Sequence, residues 1–317
     1  MKSSAQAAAA PAHPEAFETA DAPGIHAAVV TAHRPGDFLA LTKPRLNLLV
    51  LMTTLGGLYL AAPQGVPFDL LFHTLVGTAL VAGGAAALNQ VWERKTDRLM
   101  RRTATRPVPG GRLSAAESTW FGIALSAVGL AELAFAVNLT SAWVAAVTLI
   151  SYVLMYTPLK TRTSLATLVG AIPGALPPVI GWTAAAGSIT LPAIVLFGIV
   201  FFWQMPHFLA IAWMYRADYA RAGIQMLPVV ETDGRRTSQQ ALLYAAGLWP
   251  VSLMPLVVGL AGPVYGAIAT ILGLLFIWLC FRFAQNRSHQ SARQLFLFSI
   301  TYLPILWGSL VVDRLWL

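Results

Sequence analysis

Nine long runs of apolar residues divide the chain, and short polar segments separate them. The runs lie at about 46–62, 68–92, 115–136, 140–157, 165–185, 192–215, 238–260, 262–281 and 295–312. A helix needs about 20 apolar residues to cross a bilayer, so the pattern predicts nine transmembrane helices. Three prolines, Pro173, Pro177 and Pro178, fall inside the fifth run and predict that its helix is kinked or broken.

The first part of the chain lacks this pattern. Residues 1–36 are rich in Ala and Pro and show no periodicity, which predicts a disordered leader. The segment that follows carries Lys43, Pro44 and Arg45 and leads into the first apolar run. Because Pro suits the first turn of a helix, Pro44 predicts where the first membrane helix begins.

Composition agrees with a membrane protein. Of 317 residues, 57% are hydrophobic and only 11% are charged, and the mean hydropathy is +0.65. A soluble domain would carry about 25% charged residues. Cys280 is the single cysteine, which excludes an intrachain disulfide and a cysteine metal cluster.

The positions of the basic residues predict the orientation. All Lys and Arg except Arg314 lie in the N-terminal region or around the loops after the second, fourth, sixth and eighth runs. By the positive-inside rule, these parts are cytoplasmic and the C-terminus lies outside. The net charge of +8 therefore indicates topology and an anionic substrate, rather than a nucleic-acid partner.

A polar motif follows directly on the second run. Asn89, Glu93 and Asp97 recur at every fourth residue, so a continuous helix places them on one face. Mg2+ is commonly bound through one or two carboxylates, with substrate phosphates completing its shell. The alternative is a solvated helix end with a basic collar, because basic residues beside a span often report only topology.

Two further polar loops fall on the same predicted side. Together with the motif after the second run, they predict a cytoplasm-facing cavity for an anionic head and an apolar body. His207 lies within the sixth run, where it either bonds a neighbouring helix or contacts a ligand. His73 falls near the opposite surface and is assigned a structural role. The polar residues of the two loops are Tyr156, Lys160 and Arg162 in the first, and Tyr215, Arg216, Asp218, Tyr219 and Arg221 in the second.

Several segments carry a family resemblance that extends from Leu41 to the C-terminus. They read LTKPR at 41–45, NQVWERKTDRLMRRTATRP at 89–107, YTPLKTRT at 156–163, GALPPVIGW at 174–182, PHF at 206–208 and DYARAGIQMLPVV at 218–230. The chain resembles the UbiA superfamily of intramembrane aromatic prenyltransferases. The RTxxRP pattern that ends at Pro107 and the AGxxMLPVV pattern after Asp218 resemble its haem-modifying branch in particular.

The resemblance implies a fold, a reaction and partners. The fold would be an all-α bundle of about nine transmembrane helices, formed by residues 37–317. The reaction would transfer the farnesyl group of farnesyl diphosphate to a vinyl group of haem b, giving haem O and diphosphate. The location would be a bacterial inner membrane, although a mitochondrial relative would share these motifs. The lipid bilayer and a haem A synthase are candidate partners there.

The resemblance also implies residue roles. Asn89, Glu93 and Asp97 would hold Mg2+, the implied cofactor. The cations that would neutralise the leaving group are Arg102, Arg106, Lys160 and Arg162. The residues that would contact the substrates are Lys43, Arg45, Tyr156, His207, Asp218 and Tyr219.

The sequence departs from the family pattern at three positions. Glu93 stands where Asp is usual, and Lys95 stands where a further acid is common. Ala222 stands four residues after Asp218, where many superfamily members complete a second acidic motif. A second Mg2+ on this loop is therefore not expected.

Two other functions fit the same pattern. The first is a related enzyme that prenylates another aromatic acceptor, such as 4-hydroxybenzoate, a naphthoate or a chlorophyllide. The second is a transporter of an amphipathic anion, in which Arg and Lys bind the substrate. Transporters often contain repeats with broken helices. The fifth run predicts a helix broken by proline, but no corresponding repeat is evident elsewhere in the sequence.

Overall fold

The structure, a computed structural model, describes residues 35–314. All regular secondary structure within this range is helical, with no strand, which confirms the predicted all-α class. The α-helices are α1 Pro35–Leu41, α2 Pro44–Ala61, α3 Phe68–Arg98, α4 Ala115–Glu132, α5 Leu139–Ile150, α6 Thr157–Leu159, α7 Ala166–Ala175, α8 Pro177–Ala186, α9 Leu191–Met214, α10 Arg216–Arg221, α11 Leu227–Val230, α12 Arg235–Val257, α13 Pro263–Asn286 and α14 His289–Arg314. The leader prediction lies outside the described residues, apart from Pro35 and Gly36 at the start of α1.

The predicted spans correspond to these helices. Within 35–314, eight helical segments are long and apolar enough to cross a membrane, and the pair α1 and α2, bent by 48°, counts as a ninth if taken as one span. The eight are Phe68–Arg98, Ala115–Val137, Leu139–Leu159, Ala166–Ala186, Leu191–Met214, Arg235–Val257, Pro263–Asn286 and His289–Arg314. The protein is therefore a multi-pass membrane protein.

Two of the spans, the fourth and the fifth, contain a departure from regular α-helix. The fifth span breaks at Leu176, between α7 and α8, as the proline cluster predicts. A π-helical segment, Ser151–Tyr156, joins α5 to α6 and widens the last turns of the fourth span. Such π-helical segments are rare and often lie at functional sites.

Glycines allow close contacts between the helices. A methyl group at Gly84 of α3 would lie 2.2 Å from the Ser126 hydroxyl of α4, so the two backbones approach without an intervening side chain. A methyl group at Gly170 of α7 would lie 2.5 Å from the Tyr156 ring. Small residues at helix contacts are typical of membrane bundles. The Gly170 contact sets how close α7 comes to the end of the fourth span.

The short helix α1 is fixed against the membrane domain. Leu41 is fully buried, and its carbonyl oxygen accepts a hydrogen bond of 3.1 Å from Gln90 Nε2 of α3. Asp37 forms a 2.7 Å ion pair with Arg112, at the end of the loop that follows α3. These contacts hold Lys43, between α1 and α2, beside the polar end of α3.

Two apolar grooves open on the surface of the bundle. One, of about 750 Å3, lies between α12 and α13 around Gly262 and Pro263. The other, of about 480 Å3, is lined by α1 to α4 around Asn47 and Phe121. Neither groove is lined by the polar residues at the end of α3, so the cavity expected there stays a prediction.

Candidate active site

The polar motif of the sequence forms the last three turns of α3. Asn89, Glu93 and Asp97 all lie within the continuous helix Phe68–Arg98, as their spacing predicts. Asn89 and Asp97 are each only 1% exposed, and the Glu93 carboxylate is largely covered. Buried polar groups are costly unless they are paired, so their partners define the site.

Each of the three side chains contacts a cation from a different segment of the chain. Lys43 Nζ donates to Asn89 Oδ1 at 2.9 Å. Lys160 Nζ lies 2.7 Å from Glu93 Oε1, and both side chains are nearly buried, at 13% and 11% exposure.

The third pair joins Asp97 to Arg106. Arg106 Nη1 lies 2.8 Å from Asp97 Oδ2 and belongs to the loop after α3. The three cations thus come from residue positions 43, 106 and 160, which the fold brings to one helix end. We call these six side chains the carboxylate–cation cluster: Lys43, Asn89, Glu93, Asp97, Arg106 and Lys160.

The cluster perturbs the protonation of its lysines. Burial and the nearby Arg106 guanidinium lower the pKa of Lys43 to about 7, against the opposing effect of Glu93. Burial also acts to lower the pKa of Lys160, but the carboxylate of Glu93 outweighs it, so this pKa is raised well above its usual value. Lys160 is therefore held as a cation, as a partner for phosphate oxygens must be.

Tyrosines form a second layer around these charges. Lys160 Nζ lies 4.3 Å from the centre of the Tyr156 ring. Arg102 Cζ lies 5.2 Å from the centre of the Tyr215 ring, and its Nη2 donates to the Tyr219 hydroxyl at 3.4 Å. Cations over aromatic faces gain about 0.5–2 kcal/mol, which favours one orientation of the guanidinium.

Backbone contacts hold the polar loops together. The Gln225 amide donates to the Lys160 carbonyl oxygen at 2.8 Å, which ties the segment between α10 and α11 to the loop after α6. The Arg98 side chain donates to the Pro109 carbonyl oxygen at 2.8 Å and folds the loop after α3 back on that helix. The three predicted polar elements therefore meet at one end of the bundle.

Other predicted site residues lie apart from the cluster. The side chains of Arg45 and Arg162 are exposed and have no side-chain partner within 35–314. Asp218 forms an ion pair with Arg221 in its own helix, α10. His207 lies between α9 and α14, where its Nδ1 is 2.7 Å from Ser299 Oγ and its ring stacks on Trp203.

The structure also adds residues that the sequence did not single out as site residues. Thr157 is 2% exposed, and its hydroxyl accepts a hydrogen bond of 3.1 Å from Asn89 Nδ2. Tyr215, which the sequence places on the third polar loop without a predicted role, packs against Arg102. Thr157 belongs to the YTPLK segment, but a single hydroxyl beside Tyr156 gives no sequence signal for a contact 68 residues away.

The donor set at the end of α3 fits Mg2+. Asp97 Oδ1 is buried and has no hydrogen-bond partner in the described part of the chain, which leaves it available to a cation. No group of three or more His, Cys, Asp or Glu side chains is placed to hold a metal among residues 35–314. A Mg2+ ion here would thus rely on two carboxylates, one amide oxygen and oxygens from a substrate, an arrangement that Mg2+ commonly adopts.

Solved structures share this fold. A digeranylgeranylglyceryl phosphate synthase aligns with a TM-score of 0.77 and 16% identity, over 89% of this chain and 99% of that one. A UbiA homolog from Archaeoglobus fulgidus bound to GPP and Mg2+ aligns with a TM-score of 0.64 and 17% identity, over 87% of this chain and 99% of that one. At such low identity, these likenesses establish the fold alone.

Sequence comparison establishes the family. The model of the UbiA prenyltransferase family matches residues 50–303. A protoheme IX farnesyltransferase from Solibacter usitatus is 50% identical over 88% of this chain and 98% of that protein. One of the same name from Koribacter versatilis is 44% identical over 89% and 96%. The chain therefore belongs to the UbiA prenyltransferase family, and its resemblance to the haem-modifying branch is confirmed.

Proposed function

We propose that this prenyltransferase transfers the farnesyl group of farnesyl diphosphate to a vinyl group of haem b, which gives haem O and diphosphate. The observation that carries the proposal is the 50% identity to a protoheme IX farnesyltransferase along 98% of that protein's length. The carboxylate–cation cluster supports it, because a diphosphate leaving group requires cations where its charge develops.

The proposed reaction balances with one water molecule. The bond between C1 of the farnesyl group and the diphosphate oxygen breaks, and diphosphate leaves with the electron pair. The terminal vinyl carbon of haem b bonds to C1. The oxygen of water adds to the inner vinyl carbon and loses one proton, which forms the hydroxyethyl group. The apolar helices around the site would keep other water from the allylic cation.

In this proposal, the oxygens of α3 would hold the metal. The residues are Asn89, Glu93 and Asp97, and Asp97 Oδ1 has no hydrogen-bond partner in the described range. Bound Mg2+ would neutralise charge on the diphosphate oxygens. The third polar loop offers only Asp218, already paired with Arg221, and Ala222 is buried at 5% exposure. We therefore propose a single divalent cation.

The basic residues would bind the diphosphate. Lys43, Arg106 and Lys160 contact the α3 oxygens at 2.7–2.9 Å and would stabilise the negative charge of the leaving group beside them. Arg102, oriented by its tyrosines, would add a planar donor pair suited to phosphate oxygens. Arg45 and Arg162 are exposed and would act at the entrance.

The remaining predicted contacts would serve the farnesyl chain and haem. Tyr156 and Tyr219 border the cations and would separate the diphosphate from the apolar part of the site. His207 uses Nδ1 toward Ser299, and its Nε2 has no hydrogen-bond partner within 35–314, so it is available to haem. A haem A synthase stays a candidate partner.

We also propose a bacterial inner-membrane location with the cluster on the cytoplasmic side. The basic loops support this orientation, because every loop that contributes a cluster cation falls on the predicted cytoplasmic side. Farnesyl diphosphate would then reach the site from the cytoplasm, while its farnesyl chain enters the apolar bundle.

The test is a product analysis in membranes that contain the expressed protein. Haem b, farnesyl diphosphate and Mg2+ are incubated together, and the extracted haems are separated and identified by mass. A parallel reaction contains 4-hydroxybenzoate in place of haem. We expect haem O only when Mg2+ is present. Prenylated benzoate without haem O would contradict the proposed acceptor.

A further inference from the structure

Asn89 differs from the other two α3 residues because its two side-chain ends are chemically distinct. Only Oδ1 of an amide can bind a cation, whereas the NH2 group repels one. Glu93 and Asp97 offer oxygen at both ends. An amide at this position therefore contributes to a metal site only if something holds it in the correct one of two orientations.

The hydrogen bonds around Asn89 permit one orientation. Lys43 Nζ donates to Asn89 Oδ1 at 2.9 Å. The other end of the amide lies 3.1 Å from Thr157 Oγ1. That hydroxyl donates its single proton to the Tyr152 carbonyl oxygen at 2.8 Å. Toward Asn89 it can only accept, so it must face Nδ2.

The π-helical segment places this hydroxyl. Both the amide and the hydroxyl of Thr157 donate to the carbonyl oxygen of Tyr152, five residues earlier. Pro158 follows and has no amide proton, so a regular α-helical ladder cannot continue through it. The wide turn thus commits the hydroxyl proton to the backbone and leaves a lone pair directed at Asn89.

We propose that Thr157 is a positioning residue that fixes the Asn89 amide with Oδ1 directed toward the metal and diphosphate. This inference rests on the proposed function, because it assigns Thr157 a role in that same site. Thr157 and Asn89 are buried at 2% and 1% exposure, so no bulk water replaces the hydroxyl as an acceptor. Residues that orient metal ligands in this way typically contribute 10–100-fold to metal affinity.

The test measures Mn2+ affinity rather than turnover. Purified full-length protein in detergent is titrated with Mn2+ in the presence of inorganic pyrophosphate, and bound Mn2+ is followed by electron paramagnetic resonance. Thr157→Val removes the acceptor at nearly constant volume. We expect at least tenfold weaker Mn2+ binding, with most of the affinity restored in Thr157→Ser. The matched control is Thr148→Val, which removes a hydroxyl that bonds only the Val144 carbonyl oxygen of its own helix.

Testing Thr157→Val in a variant that also carries Asn89→Asp distinguishes a positioning role of Thr157 from a packing role. In Asn89→Asp both ends of residue 89 are oxygens, so its orientation no longer matters. Thr157→Val should then cost less than threefold in Mn2+ affinity, although it costs tenfold or more beside Asn89. An equal loss in both backgrounds would overturn the proposal and assign Thr157 to packing. If the Thr157→Val protein does not fold, Thr157→Ala replaces it in the same comparison beside Asn89 and in the Asn89→Asp variant.

The outcomes also separate this inference from the function on which it rests. If wild-type protein binds Mn2+ with pyrophosphate but Thr157→Val binds it equally well, only the role of Thr157 is refuted. If wild-type protein binds no Mn2+ with pyrophosphate, the proposed metal–diphosphate site is refuted, and this inference with it.

Discussion

At the scale of single residues, the site depends on buried charges that neutralise one another. The pair Glu93 and Lys160 has the strongest case, because both groups are nearly buried and lie 2.7 Å apart. Removal of one partner from such a pair leaves an uncompensated charge, which costs about 3–5 kcal/mol. Replacement of both partners by neutral groups removes that penalty.

Glu93→Gln and Lys160→Met should therefore each lower the unfolding temperature clearly, whereas the double variant should recover most of the loss. Thermal unfolding of the purified protein in detergent measures this. The double variant should remain inactive, because it lacks a proposed metal ligand and a proposed diphosphate partner. A double variant that is as unstable as the sum of the two singles would contradict the pairing.

A second prediction at this scale concerns Arg102. Its guanidinium packs against the Tyr215 ring and bonds the Tyr219 hydroxyl, contacts that a lysine ammonium makes less well. Arg102→Lys should raise the KM for farnesyl diphosphate about tenfold with little change in unfolding temperature. Steady-state kinetics check this, and Arg293→Lys, at an exposed position of α14, is the control. An unchanged KM would remove Arg102 from the diphosphate site.

At the scale of elements, hydropathy predicted the helices well and their ends less well. The second apolar run predicts a span that ends near residue 92, but α3 continues to Arg98. The extra turns carry Glu93 and Asp97, whose charges are neutralised by Lys160 and Arg106. A local hydropathy pattern cannot include those partners, because they come from other parts of the chain.

The break in the fifth span was predictable, but the π-helical segment was not. The prolines of the fifth span are a direct sequence signal for its break, since proline cannot donate a backbone hydrogen bond. The segment Ser151–Tyr156 differs from an α-helix by one extra residue within each backbone hydrogen-bonded loop, and no apolar periodicity in SYVLMY marks that change. The role of Thr157 could therefore emerge only from the structure.

The contact between α7 and the fourth span gives a prediction at this scale. Gly170→Ala would place a methyl group 2.5 Å from the Tyr156 ring and displace it from Lys160. We expect a lower unfolding temperature together with a raised KM for farnesyl diphosphate. Gly308→Ala is the control, because nothing lies within 4 Å of the added methyl group. Equal behaviour of the two variants would show that the Tyr156 contact is unimportant.

At the scale of the whole molecule, the distribution of basic residues predicted the arrangement of the loops. The sequence alone predicted that three polar loops share one side of the membrane, and the fold brings those loops together. The sequence did not predict which cation pairs with which oxygen. Residues 43, 106 and 160 are equally basic in the sequence, and only the packing of α1, α3 and α6 assigns each its partner.

The predicted orientation is testable with engineered thiols. Cys280 is buried and is replaced by alanine. Single cysteines are then introduced as Lys95→Cys, beside the cluster, and Gln64→Cys, in the loop between α2 and α3; both positions are exposed. A membrane-impermeant thiol reagent added to intact cells should label position 64 and not position 95. The reverse pattern would contradict the orientation.

In the proposed reaction, the carboxylate–cation cluster at the end of α3 drives farnesyl transfer to haem b. The most direct measurement compares the haems extracted after reaction from membranes that contain wild-type protein, Asp97→Asn or Asp69→Asn. Asp69 is an exposed carboxylate at the other end of α3, so its variant controls for expression and helix charge. We predict haem O from wild-type and Asp69→Asn membranes and less than 1% of that amount from Asp97→Asn. Haem O at the wild-type level from Asp97→Asn would contradict the account.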